Sequence, residues 1–248
     1  MKTIYLPVMA ILLITACKND PKSSEEKIQV KSENMKTEEQ DDWQVLFNGK
    51  NLDSWQVYNR DSISGQWRVE NEAIVFTPAT GGQRIKEYLM TKDKFENFEL
   101  EIEWKISEAG NSGILWAVQE MEKYDEPYYT GPEIQILDNQ NHPDAQNGLN
   151  RTAGALYDMV APKVDASKPA GEWNKEIIHI DHQANIGWVE LNGVRIVEFP
   201  VHGERWDKMV AKSKFKDWKD FGASREGHIA LQDHDDKVWF RNIRIKEL

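Results

Sequence analysis

The sequence has a single cysteine, no excess of basic residues and no long stretch with a clear helical period. Cys17 alone cannot form an intramolecular disulfide, and it cannot supply a cysteine-based zinc site. The 248 residues include 31 Lys and Arg against 42 Asp and Glu, which gives a formal net charge of −11. This acidic balance argues against nucleic acid as a partner and suits an uncharged ligand such as a sugar.

The amino-terminal residues have the pattern of an export signal. Lys2 supplies a positive start, and the apolar run 4–14 is too short to span a bilayer as a permanent helix. Thr15 and Ala16 then precede Cys17, which resembles a bacterial lipoprotein signal. The pattern predicts a signal peptide over residues 1–16, lipidation of Cys17, and a lipid anchor to a bacterial membrane of the cell envelope, on its periplasmic or surface face. An ordinary signal peptide that happens to contain a cysteine is the alternative.

Composition divides the rest of the chain into a tether and a domain. Residues 17–42 are rich in Lys, Glu, Ser, Asn and Asp and have almost no large apolar side chains, which predicts a disordered tether. Residues 43–248 are long enough for one substantial domain with its own core.

The hydrophobic pattern of this domain is mostly that of β-strands. The clearest case is FELEIEWKI at 98–106, where apolar and charged residues alternate with a period of two. Asn192-Gly193 is a strong two-residue hairpin signal, and the segment 203–221 could hold one short helix. Strands are predicted at 66–70, 98–106, 113–118, 133–137, 176–181, 187–191, 194–199, 228–232 and 238–245. The pattern favours an all-β sandwich or jelly roll of two antiparallel sheets.

A strand near the middle of the domain carries candidate catalytic groups. Alternation directs Glu133 and Gln135 away from the face of Ile134 and Ile136. Asp138 and His142 follow at the end of the strand and in the next loop. Two carboxylates and an imidazole would then lie beside one sheet face, as acid/base chemistry on a polar ligand requires. A solvated outer face with a polar loop is the alternative interpretation.

Nine motifs in order resemble one bacterial family. They are LFNGKNLDSW (46–55), FELEIEW (98–104), GNSGI (110–114), GPEIQILD (131–138), GALY (154–157), KPAGEWN (168–174), LNG (191–193), GHIALQDH (227–234) and WFRNI (239–243). Together they resemble the 3-keto-disaccharide hydrolases, formerly a domain of unknown function. The resemblance implies a concanavalin A-like jelly roll and cleavage of the glycosidic bond in 3-keto-glycosides. One departure is Asp235, where the family often has glycine; Asp tolerates left-handed turn geometry, so we expect the turn to be retained.

The chemistry of a 3-keto sugar gives roles to these residues. The ketone acidifies the hydrogen at C2, so a base can remove it, the group at C1 can leave, and water can then add back. Glu133 is the first choice for the base, and Asp138 and His142 are the next candidates, for the acid or for activating water. The candidate substrate-binding residues are Gln135, Gln232, His234, Trp116 and Arg84.

Several of these assignments leave alternatives open. His234 could instead be a structural turn residue, and a core position is the alternative for Trp116. Asn111 is expected to shape a turn. Arg84 and Arg151 could each bind a sugar oxygen, but surface charge pairing is the expectation for both. The sequence requires no cofactor, although Glu, Asp and His side chains could hold a divalent metal.

A second function class also fits the sequence. A non-catalytic, lipid-anchored carbohydrate-binding protein could use the same fold, because a fold does not determine a function. Such a protein needs amides and aromatic platforms and has little use for several titratable groups together. The set Glu133, Asp138, His142 and His234 therefore favours the enzyme.

Overall fold

Two antiparallel sheets form the part of the chain that the structure, a computed structural model, describes: residues 42–81 and 86–248. The strands are β1 (Gln44–Val45), β2 (Trp55–Val57), β3 (Trp67–Glu70), β4 (Ala73–Phe76), β5 (Leu89–Thr91), β6 (Phe98–Ile106), β7 (Asn111–Val118), β8 (Glu133–Leu137), β9 (Asn174–Asp181), β10 (Ile186–Leu191), β11 (Val194–Phe199), β12 (His228–Leu231) and β13 (Val238–Glu247). One α-helix, α1 (Gly203–Val210), and three short 3₁₀ helices, Pro127–Tyr129, Pro143–Asn147 and Leu149–Arg151, complete the elements. Within these ranges no helix is long and apolar enough to cross a membrane.

The large sheet has the order β11-β10-β9-β6-β13-β4-β3, with β1 paired to β13, and the small sheet has the order β2-β5-β12-β7-β8. All strand pairs are antiparallel. Neighbours distant in sequence, such as β6 and β13, show that the chain crosses between the sheets as a jelly roll does. The predicted fold class is therefore confirmed.

Strand alternation explains the core. Along β6 every second residue is buried, and this buried set includes Leu100, Ile102 and Trp104. These side chains pack with apolar residues of the small sheet, among them Ile134 and Ile136, in one large cluster. Burial of this apolar surface is the main stabilising term of such a sandwich.

The predicted strands and hairpin are confirmed, with ends shifted by a few residues. Asn192 and Gly193 both have positive φ, 51° and 83°, as the hairpin between β10 and β11 requires. The short strands β1, β2, β4 and β5 were missed, because segments of two to four residues carry too little alternation to be recognised. The helix predicted within 203–221 is α1.

A buried carboxyl group lies in the core and gives a first prediction. Glu176 of β9 is fully buried on the same strand face as Ile178, and its Oε2 accepts a hydrogen bond from Trp104 Nε1. Burial raises the pKa of Glu176 to about 8, against the opposing effect of the Trp104 hydrogen bond. Between the ordinary glutamate pKa and about 8, the folded chain keeps a proton that the unfolded chain releases, so stability falls as the pH rises through this window.

We expect Glu176→Gln to remove this loss, because glutamine keeps an acceptor for Trp104 and cannot ionise. The measurement is the melting temperature of parent and variant between about pH 5 and about pH 9, where the variant should lose less stability. Glu198→Gln, at an exposed position of β11, is the control. Parallel curves for the parent and Glu176→Gln would contradict the buried-proton explanation.

Candidate active site

A cavity of about 240 Å³ opens on the face of the small sheet that points away from the core. We call it the Glu133 cavity. It is lined by Lys86, Tyr88, Asn111, Tyr128, Gly131, Glu133, Gln135, Tyr157, Lys214, Phe215, Phe221, Gln232, Asp233 and His234. Its wall combines aromatic rings with amides and ionisable groups, as ligand sites usually do.

The residues around Glu133 in the sequence and on the neighbouring strand fix the position of its side chain. Glu133 begins β8, and strand alternation separates its side chain from Ile134 and Ile136 in the core. Gly113 lies on the neighbouring strand β7, where a Cβ atom would stand only 2.1 Å from Glu133 Oε1. Glycine at 113 therefore leaves the space that the carboxyl group occupies.

The surroundings of Glu133 bring its titration close to neutral pH. Burial raises the pKa of Glu133 to about 7, while the positive charge of Lys214 opposes this effect, Asp144 adds to it, and a hydrogen bond with Gln232 opposes it. With its amide nitrogen turned toward Glu133, Gln135 donates to Glu133 Oε1 at 3.2 Å and to Ser112 O at 3.0 Å. A fixed carboxylate with a pKa near the working pH is well suited to act as a general base.

Lys214 brings a positive charge to the same cavity. Its Nζ lies 4.1 Å from the ring centroid of Tyr157 and 5.1 Å from that of Phe215. Although much of the residue is exposed, desolvation lowers the pKa of Lys214, with the negative charges of Glu133 and Asp158 opposing this effect. Among the residues of the described ranges, no carboxylate forms a salt bridge with Lys214 Nζ. The ammonium group can therefore interact with negative charge on a ligand.

A chain of hydrogen bonds fixes Tyr157. Its hydroxyl donates to Asp144 Oδ2 at 2.8 Å, and Asp144 Oδ1 accepts from Arg151 Nη1 at 3.1 Å. Arg151 also pairs with Asp158 at 2.8 Å. The predicted charge pairing of Arg151 is thus confirmed. Burial raises the pKa of Tyr157, and the hydrogen bond to Asp144 adds to this effect, so the phenol stays protonated at neutral pH.

Two buried amide oxygens of the wall have no hydrogen-bond partner within the described part of the chain: Asn111 Oδ1 and Gln232 Oε1. Buried polar atoms are nearly always paired, so such atoms in a cavity wall indicate acceptors for ligand hydroxyl groups. Asn111 is the first residue of β7 and does not shape a turn, so that expectation was wrong. Its Nδ2 lies 3.5 Å from His234 Nε2.

Gln135, Gln232 and His234 line the same cavity as Glu133. His234 and Asp235 both have positive φ, 29° and 62°, so Asp235 takes the left-handed geometry expected of it. His234 therefore lies in a turn and also faces the cavity.

Two of the proposed catalytic residues, Asp138 and His142, form hydrogen bonds that stabilise the local chain. The Asp138 carboxylate accepts from Ala109 N, Gln140 N and Asn141 Nδ2, which fixes the loop after β8. Burial alone would raise the pKa of Asp138, but these hydrogen bonds outweigh it and lower the pKa. His142 caps the 3₁₀ helix Pro143–Asn147, since its Nδ1 accepts from Asp144 N at 3.1 Å. Neither lines the cavity, although the His142 ring centroid lies 6.3 Å from that of His234, which does.

Trp116 is also placed elsewhere than proposed. It is buried in the core, with its ring centroid 5.8 Å from that of Phe199. Its position in β7 directs it to the inner face, so it cannot offer its ring to a sugar in the cavity. Arg84, Cys17 and the tether lie outside the described residues.

Sequence reasoning missed Lys214, Tyr157, Tyr88 and Asp233. Tyr157 and Asp233 fall within two of the motifs, GALY and GHIALQDH, so their place in the ordered set was a usable signal. Lys214 follows α1 in an irregular segment that carries no local pattern. Within residues 42–81 and 86–248, no group of three or more His, Cys, Asp or Glu residues is arranged to hold a metal ion.

The fold and the cavity define a class of protein: a jelly roll whose small sheet carries a cavity lined by amides, aromatic rings, a buried carboxyl group and a cation. The chain belongs to the family whose model is described as the 3-keto-alpha-glucoside-1,2-lyase-like domain, which matches residues 42–246. It is thus an enzyme of the glycoside-cleaving type, acting on carbohydrate.

Proteins similar to this chain support the assignment to this family. A 3-keto-disaccharide hydrolase of Bacteroides thetaiotaomicron is 34% identical over an alignment 291 positions long that covers 100% of both chains. A solved structure from Parabacteroides distasonis, described as a candidate glycosyl hydrolase, is 32% identical with a TM-score of 0.76, over 83% of this chain and 94% of that one. A Bacillus subtilis protein with a galectin-like fold has a TM-score of 0.51 over 83% of this chain and 94% of that one. At 10% identity, it supports the fold alone.

Proposed function

We propose that the enzyme cleaves 3-keto-glycosides, including 3-keto-disaccharides, by elimination followed by hydration. The observation that carries this proposal is a buried carboxyl group with a pKa of about 7, Glu133, beside the cation of Lys214 in one cavity. Elimination next to a ketone needs such a pair: a base for the carbon acid and a positive charge for the enolate oxygen. The names of the family and of its relatives support the same substrate class.

The first step breaks the C2–H bond. The Glu133 carboxylate takes the proton, and the electron pair forms an enolate whose negative oxygen at C3 is stabilised by Lys214 Nζ. Asn111 Oδ1 and Gln232 Oε1 accept hydrogen bonds from sugar hydroxyls and orient the ring.

The second step breaks the C1–O bond. The enolate re-forms the ketone, a C1–C2 double bond appears, and the leaving oxygen takes the bonding electron pair together with a proton from His234, which lines the cavity. Water then adds at C1 and gives a proton back to His234, while Glu133 returns the proton it took to C2. The balance is one water consumed per glycosidic bond, with no oxidant or reductant.

The direct test uses 3-keto-maltose and unoxidised maltose, each with and without a chelator. We expect cleavage of the keto sugar only, because maltose has no acidic hydrogen at C2. Cleavage of maltose at a similar rate would overturn the proposal. The chelator arm tests the divalent metal that the sequence allows.

The titration of Glu133 predicts a pH profile. The base must be ionised, so kcat/KM should rise with pH along a limb centred near the Glu133 pKa of about 7 and then level off. An ordinary glutamate would place this limb near its unperturbed pKa of about 4.3. Initial rates at low substrate concentration across this range are the measurement, and a flat profile from about pH 5 to about pH 8 would contradict the role of a buried base.

We also propose that Cys17 is the mature amino terminus and carries lipid, which would hold the enzyme at a bacterial membrane of the cell envelope. The support is the sequence pattern before Cys17. We expect Cys17→Ser to block processing or to release the protein from the membrane fraction. A variant that matures and fractionates like the parent would contradict lipidation.

A further inference from the structure

A second cavity, of about 360 Å³, lies directly beside the Glu133 cavity. Lys86 and Tyr88 belong to the walls of both, so the two spaces adjoin along these residues. The Glu133 cavity, at about 240 Å³, is smaller than the roughly 300–1,000 Å³ typical of ligand pockets. A substrate of two sugar units therefore needs further space, and the second cavity is where the wall offers it.

Glu126 gives the second cavity a buried hydrogen-bond acceptor. It is 8% exposed, and its Oε1 forms an ion pair with Lys86 Nζ at 2.7 Å. Its other oxygen, Oε2, is buried and has no hydrogen-bond partner among residues 42–81 and 86–248. A buried carboxylate oxygen without a partner is costly, and a ligand hydroxyl group would remove that cost.

Hydrogen bonds hold Tyr58 and Asn59, which line the second cavity, in place before any ligand arrives. Tyr58 is buried, and its hydroxyl donates to Tyr124 O at 3.3 Å. Asn59 Nδ2 donates to Met121 O at 3.1 Å and to Tyr124 O at 2.8 Å, and Asn59 N donates to Glu120 Oε1 at 2.9 Å. These bonds join the residues after β2 to the loop after β7, so the cavity does not have to be assembled on binding.

The charges of the second cavity select the class of ligand. Asp125 and Glu126 place two carboxylates in its wall, and Arg60 and Lys86 place two cations there, so the wall has no net charge that would favour a phosphate or another anion. Within the described ranges, the Arg60 guanidinium forms no salt bridge. Acceptors, donors and tyrosine rings together suit a neutral, hydroxyl-rich ring.

We propose that this second cavity is the subsite that binds the leaving sugar of a 3-keto-disaccharide. The proposal rests on the proposed function, which places the reacting 3-keto ring beside Glu133. The glycosidic bond would then lie near Lys86 and Tyr88, where the two cavities meet, and Glu126 Oε2 would accept a hydrogen bond from a hydroxyl of the second sugar.

The experiment compares 3-keto-maltose with methyl 3-keto-α-glucoside, whose leaving group is only methanol. For Glu126→Ala we expect kcat/KM for the disaccharide to fall about 10- to 100-fold more than kcat/KM for the methyl glycoside, as for loss of a hydrogen bond to a charged group. Arg60→Ala, at an exposed position, should shift the same ratio in the same direction and still decides the matter if Glu126→Ala does not fold. The control is Glu122→Ala, an exposed residue of the neighbouring loop outside this wall, which should leave the ratio at its parental value.

An unchanged ratio in a folded Glu126→Ala variant would overturn the subsite, and so would an unchanged ratio in Arg60→Ala if Glu126→Ala does not fold. If the proposed function is wrong, the result differs, because the parent then cleaves neither keto sugar. In that case calorimetric titration with maltose and methyl α-glucoside still tests the cavity. Tighter binding of maltose that is weakened by Arg60→Ala supports it, and equal binding of the two ligands overturns it.

Discussion

Glu133→Gln is expected to lower turnover of 3-keto-maltose by about 10²–10⁴-fold, the usual cost of losing a general base, while the domain stays folded. Glutamine has nearly the size of glutamate, so it fits the space that Gly113 leaves. It cannot take a proton from C2. Since Glu133 is buried, the neutral side chain should not lower the melting temperature at neutral pH.

The measurement is single-substrate kinetics beside thermal melting. Glu198→Gln is a matched control, because it makes the same change at an exposed strand position of the large sheet and should keep parental turnover. A folded Glu133→Gln variant with near-parental turnover would remove Glu133 from the mechanism.

Lys214→Met is expected to lower kcat/KM by about 10²–10³-fold, the range found when one stabilising donor of a developing negative charge is removed. Methionine keeps an apolar stem against Tyr157 and Phe215, so the loss reports the charge more than the packing. A second effect is also expected. The Lys214 charge favours the ionised form of Glu133, so its removal should raise the pKa of Glu133 and move the acid limb of the pH profile to higher pH.

Lys216→Met is the matched control, since Lys216 is exposed two residues further on and does not line the cavity. It should leave both the rate and the limb in place. If Lys214→Met lowered the rate without moving the limb, its ammonium would not interact with Glu133 as the structure places it.

Most of the fold could be predicted, because a long strand with one buried face shows a regular alternation of apolar and polar residues in its sequence. In β6 the alternation of Leu100, Ile102 and Trp104 with charged residues identifies the strand and its buried face. The strands β4 and β5 are fully buried and short, so no alternation remains to be recognised. Their presence follows from pairing with β13 and β12, which are distant in sequence.

The site could be predicted only in part. Alternation along β8 was enough to predict that Glu133 and Gln135 share a face, and both line the cavity. Asp138 and His142 follow after the strand ends, where the period of two no longer applies, and their hydrogen bonds serve the loop and a helix cap. Lys214 reaches Glu133 through tertiary packing alone, which a sequence pattern does not encode.

The central claim is that the Glu133 carboxylate removes the C2 proton of a 3-keto sugar. Its most direct test is a single-turnover comparison of 3-keto-maltose carrying hydrogen at C2 with the same sugar carrying deuterium there, which excludes product release from the measured rate. We expect slower cleavage of the deuterated sugar, because the C2 bond breaks during the rate-determining chemistry. Equal single-turnover rates, with the deuterium retained at C2 of the released 3-keto-glucose, would show that the glycosidic bond breaks without proton removal and would rule out Glu133 as the base.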